Sequence, residues 1–527
     1  VLRANMRHCA VITTHRSSEA AKQAFIHDRQ DQSYGMIDGL GPLAAFYKTG
    51  AKAVTSITSA PDGTPPGPVN DVVPADAPAG SATGAGSTAS DLGAVVTLMQ
   101  TVRGTYSSGN PSKAAYNYPR PWRMTEFSEV VATGATDAFG YPLYKSDVIV
   151  APQLLRQRSL TPATDGGFPS GHTNAFFLAG LTYAHAVPER FQELVTRAFE
   201  LADSRIVAGM HSPLDVIGGR ILATALAAAI LADPANAAVK AAARAQALAY
   251  FETHTGTTAD TLFAFAHSAP PGTDPYADRE ANADAVARRL TYGLPGRGGH
   301  GSGAATIVPQ GAEVLLETRL PYLNAAQRRE VLRTTALGAG HPLLDGPEHW
   351  GRLYLFAAAG GFCASDAWRN SIDGPGGLVK AGTGTLVLSG DNEFTGGVRV
   401  RDGVLVAGGR AALGAGDVRV GGGTLRIAAD GTARIRGCYE QSGGTLEVSA
   451  RHRDAVSVAG WSEISGRSTL AIKLAGTDVR RSGLEVQVLR SRGLCGRFAS
   501  ITVDTPGFHV EPRYTDTSLS VRITSGH

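Results

Sequence analysis

The chain contains 527 residues, of which 43% are hydrophobic and 18% are charged, and its formal net charge is +3. This length exceeds that of an ordinary single domain, so two or more domains are expected. The weak charge balance gives no case for nucleic acid, whose binders usually carry concentrated basic patches, so no nucleic-acid partner is expected.

The first 370 residues are predicted to form a helical domain, because apolar residues recur at three- and four-residue intervals in segments such as VPERFQELVTRAFELADSRIVAGM. Residues 61–92 are rich in Pro, Gly, Ala and Ser, which predicts a flexible loop. The most apolar run, at 221–232, is bounded by Arg220 and Asp233 and is too short to span a bilayer. It is interpreted as a buried helix, and no integral membrane segment is expected.

Three short motifs follow one another in this domain. In chain order they are KAAYNYPRP with Lys113 and Arg120, FPSGHTNAFF with Ser170, Gly171 and His172, and SRIVAGMHSPLD with Arg205, His211 and Asp215. Taken alone, the second motif is an ordinary helix start with Ser170 as its N-cap. The alternative is that the free N–H groups of this helix start hold an anion, with His172 beside them.

Together the motifs supply the groups that a phosphate monoester dianion requires. Lys113, Arg120 and Arg205 provide fixed positive charge, and the guanidinium fork matches phosphate oxygens two at a time. The backbone N–H of Gly171 and the hydroxyl of Ser170 add neutral donors. These five residues are the predicted phosphate-binding residues.

Three further residues are predicted to be catalytic. His211 lies just before a second helix start, with Ser212 as the cap and Asp215 in the first turn. Asp215 is therefore close enough to accept a hydrogen bond from one ring nitrogen of His211, which leaves the lone pair of the other nitrogen free. An imidazole in this state can act as a nucleophile that attacks phosphorus. His172 would then protonate the leaving alcohol, a role that typically contributes about 10²–10⁴-fold.

Two neighbouring charges have alternative interpretations. Arg205 taken alone could pair with Asp203 or Glu200 on its own helix. Asp165, in TPATDGGF, could contact the site or simply shape the turn that leads into it. The turn is the favoured interpretation.

The ordered trio resembles the soluble branch of the type 2 phosphatidic acid phosphatase superfamily, which also contains bacterial class A acid phosphatases and vanadium haloperoxidases. All signature positions between residues 113 and 215 match. The resemblance implies an all-α fold and a metal-independent acid phosphatase that hydrolyses small phosphate monoesters through a phosphohistidine on His211, with acid help from His172. It also implies phosphotransfer to alcohols and no cofactor.

Two other functions remain as alternatives. In a vanadium-dependent haloperoxidase the same pocket would hold vanadate as a cofactor, with His211 as its axial ligand, whereas vanadate would inhibit a phosphatase. In a surface-binding passenger protein the helical domain would have lost its activity. The intact set of site residues argues against this last alternative.

Residues 371–527 are predicted to form a β-helix, or β-solenoid. The segments GTGTLVLSG, RDGVLVAGG, GGGTLRIAAD and SGGTLEVSA each place glycine before an alternating apolar strand. Their matching residues are Leu386, Leu405, Leu425 and Leu446. A near-constant period with one short strand per unit is typical of a solenoid, in which each coil buries its inward residues against its neighbours. The predicted fold class is therefore multidomain, with a helical domain followed by a β-solenoid.

The unit at 376–408 resembles the autotransporter-associated β-strand repeat of bacterial passenger domains. This resemblance implies export to the periplasm, the cell surface or the medium of a bacterium. The solenoid could contact a cell surface or a glycan, or it could act only as a rigid spacer. Cys438 and Cys495 could form a disulfide in an oxidising compartment, and free thiols are the alternative.

Overall fold

The computed structural model describes residues 1–270, 272–296, 307–361, 365–381, 384–451, 454–474 and 483–525. It divides into two compact units, Val1–Ala359 and Gly360–His527. The boundary lies earlier than the one placed after residue 370 from the sequence. The reason is that the strand Ser365–Trp368 already pairs in parallel with Thr385–Leu388.

The first unit is mostly helical. Its α-helices are α1 Leu2–His15, α2 Ser18–Arg29, α3 Gln32–Met36, α4 Ala44–Ala51, α5 Gly93–Val102, α6 Asn110–Tyr116, α7 Gly171–Ala186, α8 Phe191–Val207, α9 Pro213–Ala232, α10 Ala237–Thr255, α11 Leu262–Ala266, α12 Arg279–Thr291, α13 Ala325–Thr334 and α14 Leu355–Ala358. Short 3₁₀ helices occur at Ile37–Leu43, Thr105–Ser107, Pro121–Arg123, Pro152–Gln157, Pro162–Thr164, Pro188–Arg190, Pro234–Asn236, Ala312–Leu316 and Trp350–Arg352. An antiparallel hairpin of β1 Ala132–Thr136 and β2 Pro142–Tyr144 interrupts the helical pattern.

Helix α7 lies at the centre of this unit. It packs against α3, α5, α8, α9 and α10, and 13 of its 16 residues are buried. A helix that is apolar on all sides must be surrounded by other elements. The PSGH motif therefore lies at the N-terminus of the innermost helix.

The apolar run at 221–232 is part of the longer helix α9, because Ser212 caps a helix that begins at Pro213. With 20 residues, α9 is long and apolar enough to cross a membrane by length and composition, and 61% of its most apolar window is buried inside the protein. No other helix among the described residues meets both criteria. Burial inside the unit is the property expected of a core helix.

Residues 61–92 contain no helix and no strand. Asp62 pairs with Lys22 at 2.6 Å, and Asp71 accepts hydrogen bonds from the backbone N–H of Asp31 and the hydroxyl of Thr55. These contacts fasten the segment to the helical unit. The predicted flexibility of this segment stays a prediction.

The second unit is the predicted β-solenoid. Its strands are β3 Ser365–Trp368, β4 Leu378–Lys380, β5 Thr385–Leu388, β6 Val398–Val400, β7 Val404–Ala407, β8 Val418–Val420, β9 Thr424–Ile427, β10 Ala433–Ile435, β11 Tyr439–Gln441, β12 Thr445–Ser449, β13 Asp454–Val458, β14 Trp461–Ile464, β15 Thr469–Lys473, β16 Leu484–Arg490, β17 Gly493–Gly496, β18 Ser500–Val503, β19 Phe508–Tyr514 and β20 Ser518–Ser525. They form three sheets, in the orders β17-β14-β11-β8-β6-β4, β18-β15-β12-β9-β7-β5-β3 and β10-β13-β16-β20-β19. Pairing is parallel except at β16-β20 and β20-β19, which close the C-terminal end.

The predicted leucine ladder is confirmed. Leu386 pairs with Leu405, Leu405 with Leu425, and Leu425 with Leu446, each in adjacent parallel strands. All four are buried, so each coil covers the apolar side chain of its neighbour.

The recurring glycine before each strand has a conformational cause. Gly403, Gly423 and Gly444 precede β7, β9 and β12, and their φ angles are 63°, 60° and 63°. Glycine adopts this left-handed conformation without the steric cost that a Cβ imposes. The repeated turn therefore requires glycine at that position.

Cys438 and Cys495 are both free and exposed. Cys438 precedes β11, Cys495 lies in β17, and β14 lies between these two strands. The disulfide alternative is therefore not formed in this structure.

Candidate active site

The second and third motifs meet where α7 and α9 begin. The backbone N–H of Ser170 donates to the carbonyl oxygen of Asp215 at 2.8 Å. A Cβ atom added to Gly219 would lie 2.6 Å from the carbonyl oxygen of Ser170. A Cβ atom added to Gly218 would lie 2.3 Å from the ring of Phe168. The two glycines of α9 therefore let this helix approach the PSGH turn closely.

Ser170 caps α7 as predicted from the motif. Its Oγ accepts from the backbone N–H of Thr173 at 3.3 Å and from Thr173 Oγ1 at 3.0 Å. Since these contacts use the lone pairs of the hydroxyl, its own proton remains available for an anion. Gly171 is the first residue of α7 and presents its N–H at the same helix end.

His211 makes a hydrogen bond through one ring nitrogen, and the other faces a carboxylate without forming a hydrogen bond. Its Nδ1 lies 3.4 Å from Oδ2 of Asp215, and its Nε2 lies 2.9 Å from Nη1 of Arg120. A guanidinium group can only donate, so Nε2 must be the acceptor and Nδ1 must carry the proton. The tautomer with the Nδ1 proton toward Asp215 agrees with the sequence prediction, but the Nε2 lone pair accepts from Arg120 and is not free.

Burial and the nearby charges determine the protonation of this pair. Burial, followed by the charges of Arg120 and Lys113, holds the pKa of His211 well below its usual value. Burial raises the pKa of Asp215 to about 6. His211 is therefore neutral, while Asp215 loses its charge in moderately acidic solution.

Arg120 connects the first motif to the turn at Asp165. Its Nε and Nη2 both donate to the Asp165 carboxylate, at distances of 2.7 to 3.1 Å. The turn is fixed by the backbone N–H of Gly167, which donates to the Tyr118 carbonyl oxygen at 2.6 Å. The interpretation of Asp165 as only a turn residue is wrong, because its carboxylate orients the guanidinium that contacts His211.

Lys113 lies close to the PSGH helix start. Its Nζ donates to the carbonyl oxygen of Gly166 at 2.9 Å, and an added Cβ on Gly171 would lie 3.7 Å from Lys113 Cε. Burial, and after it the charge of Arg120, lowers the pKa of Lys113 to about 8. The ammonium group is therefore charged at neutral pH and becomes neutral in mildly alkaline solution.

Arg205 and His172 meet at a residue that the motifs do not include. The buried carboxylate of Asp28, at the end of α2, forms an ion pair with Arg205, and its Oδ1 lies 3.8 Å from Nε2 of His172. Arg29 adds a second ion pair to Asp28 at 2.6 Å. Burial opposes ionisation of Asp28, but the charges of Arg205, His172 and Arg29 together lower its pKa.

The suggested partners of Arg205 on its own helix are wrong. Glu200 pairs with Arg197 and Asp203 pairs with Arg289. Asp28 takes their place because α2 packs against α8.

His172 is more accessible than the other imidazole. Its side chain is 28% exposed, compared with 1% for His211, and its Nε2 lies 3.3 Å from the Asp28 carbonyl oxygen. Burial and the charge of Arg205 lower the pKa of His172 to about 3. In the absence of an anion this ring is neutral.

Helix α1 supports the loop that carries His211. The side chain of Asn5 accepts from the backbone N–H of Leu214 at 2.9 Å, and the thiol of Cys9 lies 3.9 Å from the His211 carbonyl oxygen. Neither residue has a sequence signal beyond its place on an amphipathic helix. In the part of the chain that the structure describes, no group of three or more His, Cys, Asp and Glu residues could hold a metal ion.

All eight predicted site residues thus lie around one centre. Arg120, His211 and Asp215 are in direct contact, and the charges of Lys113, Arg205 and His172 also act on the pKa of His211.

The part of the chain that carries the three motifs is similar to known proteins. The PAP2 superfamily pattern matches residues 91–238, which include all three motifs. A non-specific acid phosphatase of Salmonella typhi is 46% identical over 56 residues, which are 11% of this chain and 22% of that protein. A non-specific acid phosphatase of Providencia stuartii is 33% identical over 70 residues, 13% of this chain and 28% of that protein.

Other similarities involve exported bacterial proteins. An extracellular serine protease of Serratia marcescens is 28% identical over 202 residues, covering 27% of this chain and 19% of the protease. The adhesin BmaC autotransporter of Brucella suis is 42% identical over 79 residues, which are 15% of this chain and 2% of the adhesin. The chain therefore spans less than a third of each of these relatives. The passenger-associated-transport-repeat pattern matches residues 378–407, and the chain thus combines a PAP2 superfamily domain with a passenger-associated-transport-repeat in a β-solenoid.

Proposed function

We propose that the helical unit is a metal-independent acid phosphatase that hydrolyses phosphate monoesters through a phosphohistidine on His211. The observation that supports this proposal is the environment of His211. Its Nε2 accepts a hydrogen bond from Arg120, and its Nδ1 lies 3.4 Å from Oδ2 of Asp215, which favours a proton on Nδ1 and a lone pair on Nε2. Such an imidazole can attack phosphorus without first losing a proton.

Substrate binding rests on the cations around Nε2. Lys113, Arg120 and Arg205 neutralise the phosphate dianion, and the guanidinium of Arg205 can present two donors to its oxygens. Arg120 has one N–H left for the phosphate, because its others donate to Asp165, Met210 and His211. The free hydroxyl proton of Ser170 and the N–H of Gly171 complete the set of donors. These groups stabilise the additional negative charge that the oxygens carry in the transition state.

The reaction then proceeds in two displacements. His211 Nε2 forms a bond to phosphorus while the bond from phosphorus to the alcohol oxygen breaks, and His172 gives its proton to that oxygen. Asp215 stabilises the positive charge that develops on the ring of His211. A water molecule, deprotonated by His172, next attacks phosphorus and releases inorganic phosphate and neutral His211. An alcohol in place of this water gives phosphotransfer.

The test is hydrolysis of an aryl phosphate by the purified chain in the presence of a chelator. The proposal predicts turnover that the chelator does not reduce, inhibition by vanadate, and loss of activity in His211→Ala. Bromide oxidation with peroxide and added vanadate, without aryl phosphate hydrolysis, would instead support the vanadium-dependent haloperoxidase. Full activity of His211→Ala would overturn the role of His211.

We further infer that the protein is exported in a bacterium, to the periplasm, the cell surface or the medium. The passenger-associated-transport-repeat and the similarity to an extracellular protease and an autotransporter adhesin support this inference. Fractionation of cells that express the full-length gene tests it, and a purely cytoplasmic protein would contradict it. Contact of the solenoid with a cell surface or a glycan stays a prediction.

A further inference from the structure

Arg120 occupies the lone pair with which His211 would attack. Its Nη1 donates to Nε2 at 2.9 Å. An imidazole nitrogen that accepts a hydrogen bond does so through its one lone pair, and at this distance no other atom fits between the two nitrogens. The side chain of His211 is also only 1% exposed. In the free protein, Nε2 therefore cannot reach a phosphorus atom.

The other two cations of the site leave Nε2 uncovered. Lys113 donates to the carbonyl oxygen of Gly166, and Arg205 forms its ion pair with Asp28. Among the residues that the structure describes, Arg120 is the only one with a hydrogen bond to Nε2. The nucleophile is thus blocked by a single contact.

Arg120 is attached to the protein mainly through its other nitrogens. Its Nε and Nη2 donate to the carboxylate of Asp165 at 2.7 to 3.1 Å, and Nη1 makes a longer bond of 3.3 Å to the carbonyl oxygen of Met210. The contacts with Asp165 are the strong ones, because both partners are charged. Nη1 can therefore leave Nε2 while Asp165 still holds the guanidinium.

A phosphate is a better acceptor for Nη1 than the imidazole is. The bond to Nε2 joins a charged donor to a neutral acceptor, whereas a phosphate oxygen carries negative charge, and bonds between charged partners are shorter and stronger. In the free protein the contacts of Arg120 leave one N–H of Nη2 without an acceptor among the described residues. Release of Nη1 adds a second N–H, so that Arg120 can then donate to two phosphate oxygens.

We propose that Arg120 blocks the nucleophile in the free protein, and that the phosphate of the substrate removes this block by taking Nη1 from His211 Nε2 while Asp165 keeps Nε and Nη2. This inference rests on the proposed phosphatase function and adds a regulation of the same site. A neutral molecule offers no charged acceptor for Nη1. His211 is therefore freed only when an anion is bound, and its imidazole is protected from other electrophiles.

The first test uses diethyl pyrocarbonate, a neutral reagent that acylates an imidazole nitrogen through its lone pair, with the modified peptides identified by mass spectrometry. His211 should be acylated about tenfold faster in Arg120→Ala than in the wild type, since the rate follows the fraction of molecules in which Nε2 is free. Equal rates would overturn the proposal.

Arg289→Ala is the matched control for this variant. Arg289 is also paired with an aspartate, Asp203 at 3.1 Å, but lies outside the site, so its removal should leave the rate at His211 unchanged. His27 and His185 are buried in the same unit and report on folding. Their rates should stay at the wild-type value in both variants. If they rise in Arg120→Ala, that variant is unfolded, and the phosphate complex of the wild type decides.

The second test compares crystal structures of the wild-type protein with and without inorganic phosphate. Nη1 is expected on Nε2 in the free protein and on a phosphate oxygen in the complex, with the contacts to Asp165 present in both. A bound phosphate with Nη1 still on Nε2 would overturn the proposal. Neither test requires turnover. Absence of aryl phosphate hydrolysis would overturn the proposed function, whereas these two measurements decide separately whether Arg120 blocks His211.

Discussion

Arg120 Nη1 donates to Nε2 of His211 across 2.9 Å. The same guanidinium is held by Asp165 through its other nitrogens. One side chain therefore orients the proposed nucleophile, fixes its tautomer and offers positive charge where a phosphate would bind. This relationship ties the first motif to the third more closely than their separation along the chain suggests.

The pH dependence of the reaction follows from Asp215 and His172. Burial raises the pKa of Asp215 to about 6, so below this pH Asp215 gains a proton and His211 loses its charged acceptor. The pKa of His172 is lowered to about 3, so His172 is neutral at pH ~6 in the free protein. The proton that His172 gives to the leaving alcohol must therefore be brought by the monoanionic form of the substrate. A phosphate monoester loses that proton near pH ~6. We therefore expect kcat/KM to be bell-shaped, with a maximum close to pH ~6.

Asp215→Asn separates the two limbs of this profile. The variant has no carboxylate to protonate, so the acidic limb is expected to disappear while the alkaline limb remains. Steady-state kinetics across the acidic and neutral range measure both limbs. An acidic limb that is identical in the wild type and in Asp215→Asn would contradict the assignment to Asp215.

The charge of Lys113 predicts how phosphate inhibition changes in alkaline solution. Since the pKa of Lys113 is lowered to about 8, the free protein loses this cation above that pH. The inhibition constant of inorganic phosphate should then rise about tenfold per pH unit, as linkage requires. Lys113→Arg keeps its charge and should remove this rise. If the inhibition constant rises equally steeply with pH in the wild type and in Lys113→Arg, a group other than Lys113 is responsible.

Asp28 is predicted to position Arg205 and His172. Asp28→Asn leaves Arg205 buried without its charged partner, so the free energy of unfolding should fall by about 3–5 kcal/mol. Misplacement of the two side chains should lower kcat/KM about 100-fold.

Asp274→Asn is the matched control for this variant. Asp274 forms an ion pair with Arg190 at 2.9 Å that is as buried as the pair of Asp28 and Arg205, but neither residue is part of the site. The free energy of unfolding of Asp274→Asn should fall by about as much as that of Asp28→Asn, while kcat/KM stays near the wild-type value. If both variants lose activity equally, the effect of Asp28 is only structural.

The glycine turns of the solenoid predict a local loss of stability. At Gly444 the φ angle is 63°, and an added Cβ would lie 2.5 Å from the carbonyl oxygen of Gly423. Gly444→Ala should therefore lower the free energy of unfolding of the solenoid by about 1–3 kcal/mol. Gly421→Ala is the control, because its Cβ would meet nothing within 4 Å. Hydrogen exchange in β9 and β12 measures the difference, and equal effects of the two variants would contradict the conformational argument.

Much of the site could be predicted from the sequence because its parts are local. The capping residues Ser170 and Ser212 define two helix starts, and Asp215 lies one turn from His211 within the same motif. The solenoid could be predicted for a similar reason, since each repeat places leucine and glycine at a constant spacing. In both cases the signal lies within a short stretch of chain.

Asp28 could not be predicted in the same way. Asp28 lies 144 positions from His172, and on α2 it resembles any acidic residue near a helix end. The misinterpretation of Asp165 has the same origin, because its partner Arg120 comes from another part of the chain. Contacts that depend on tertiary packing leave no periodic signal.

The most direct test of the central proposal is to trap the phosphorylated protein. The wild-type chain is mixed rapidly with an aryl phosphate, quenched in alkali to preserve a phosphohistidine, digested and analysed by mass spectrometry. If His211 is the nucleophile, one phosphoryl group is found on the peptide that contains His211, and none in His211→Ala. A wild-type protein that turns over the substrate while its phosphoryl group is found on another residue, or on none, would contradict it.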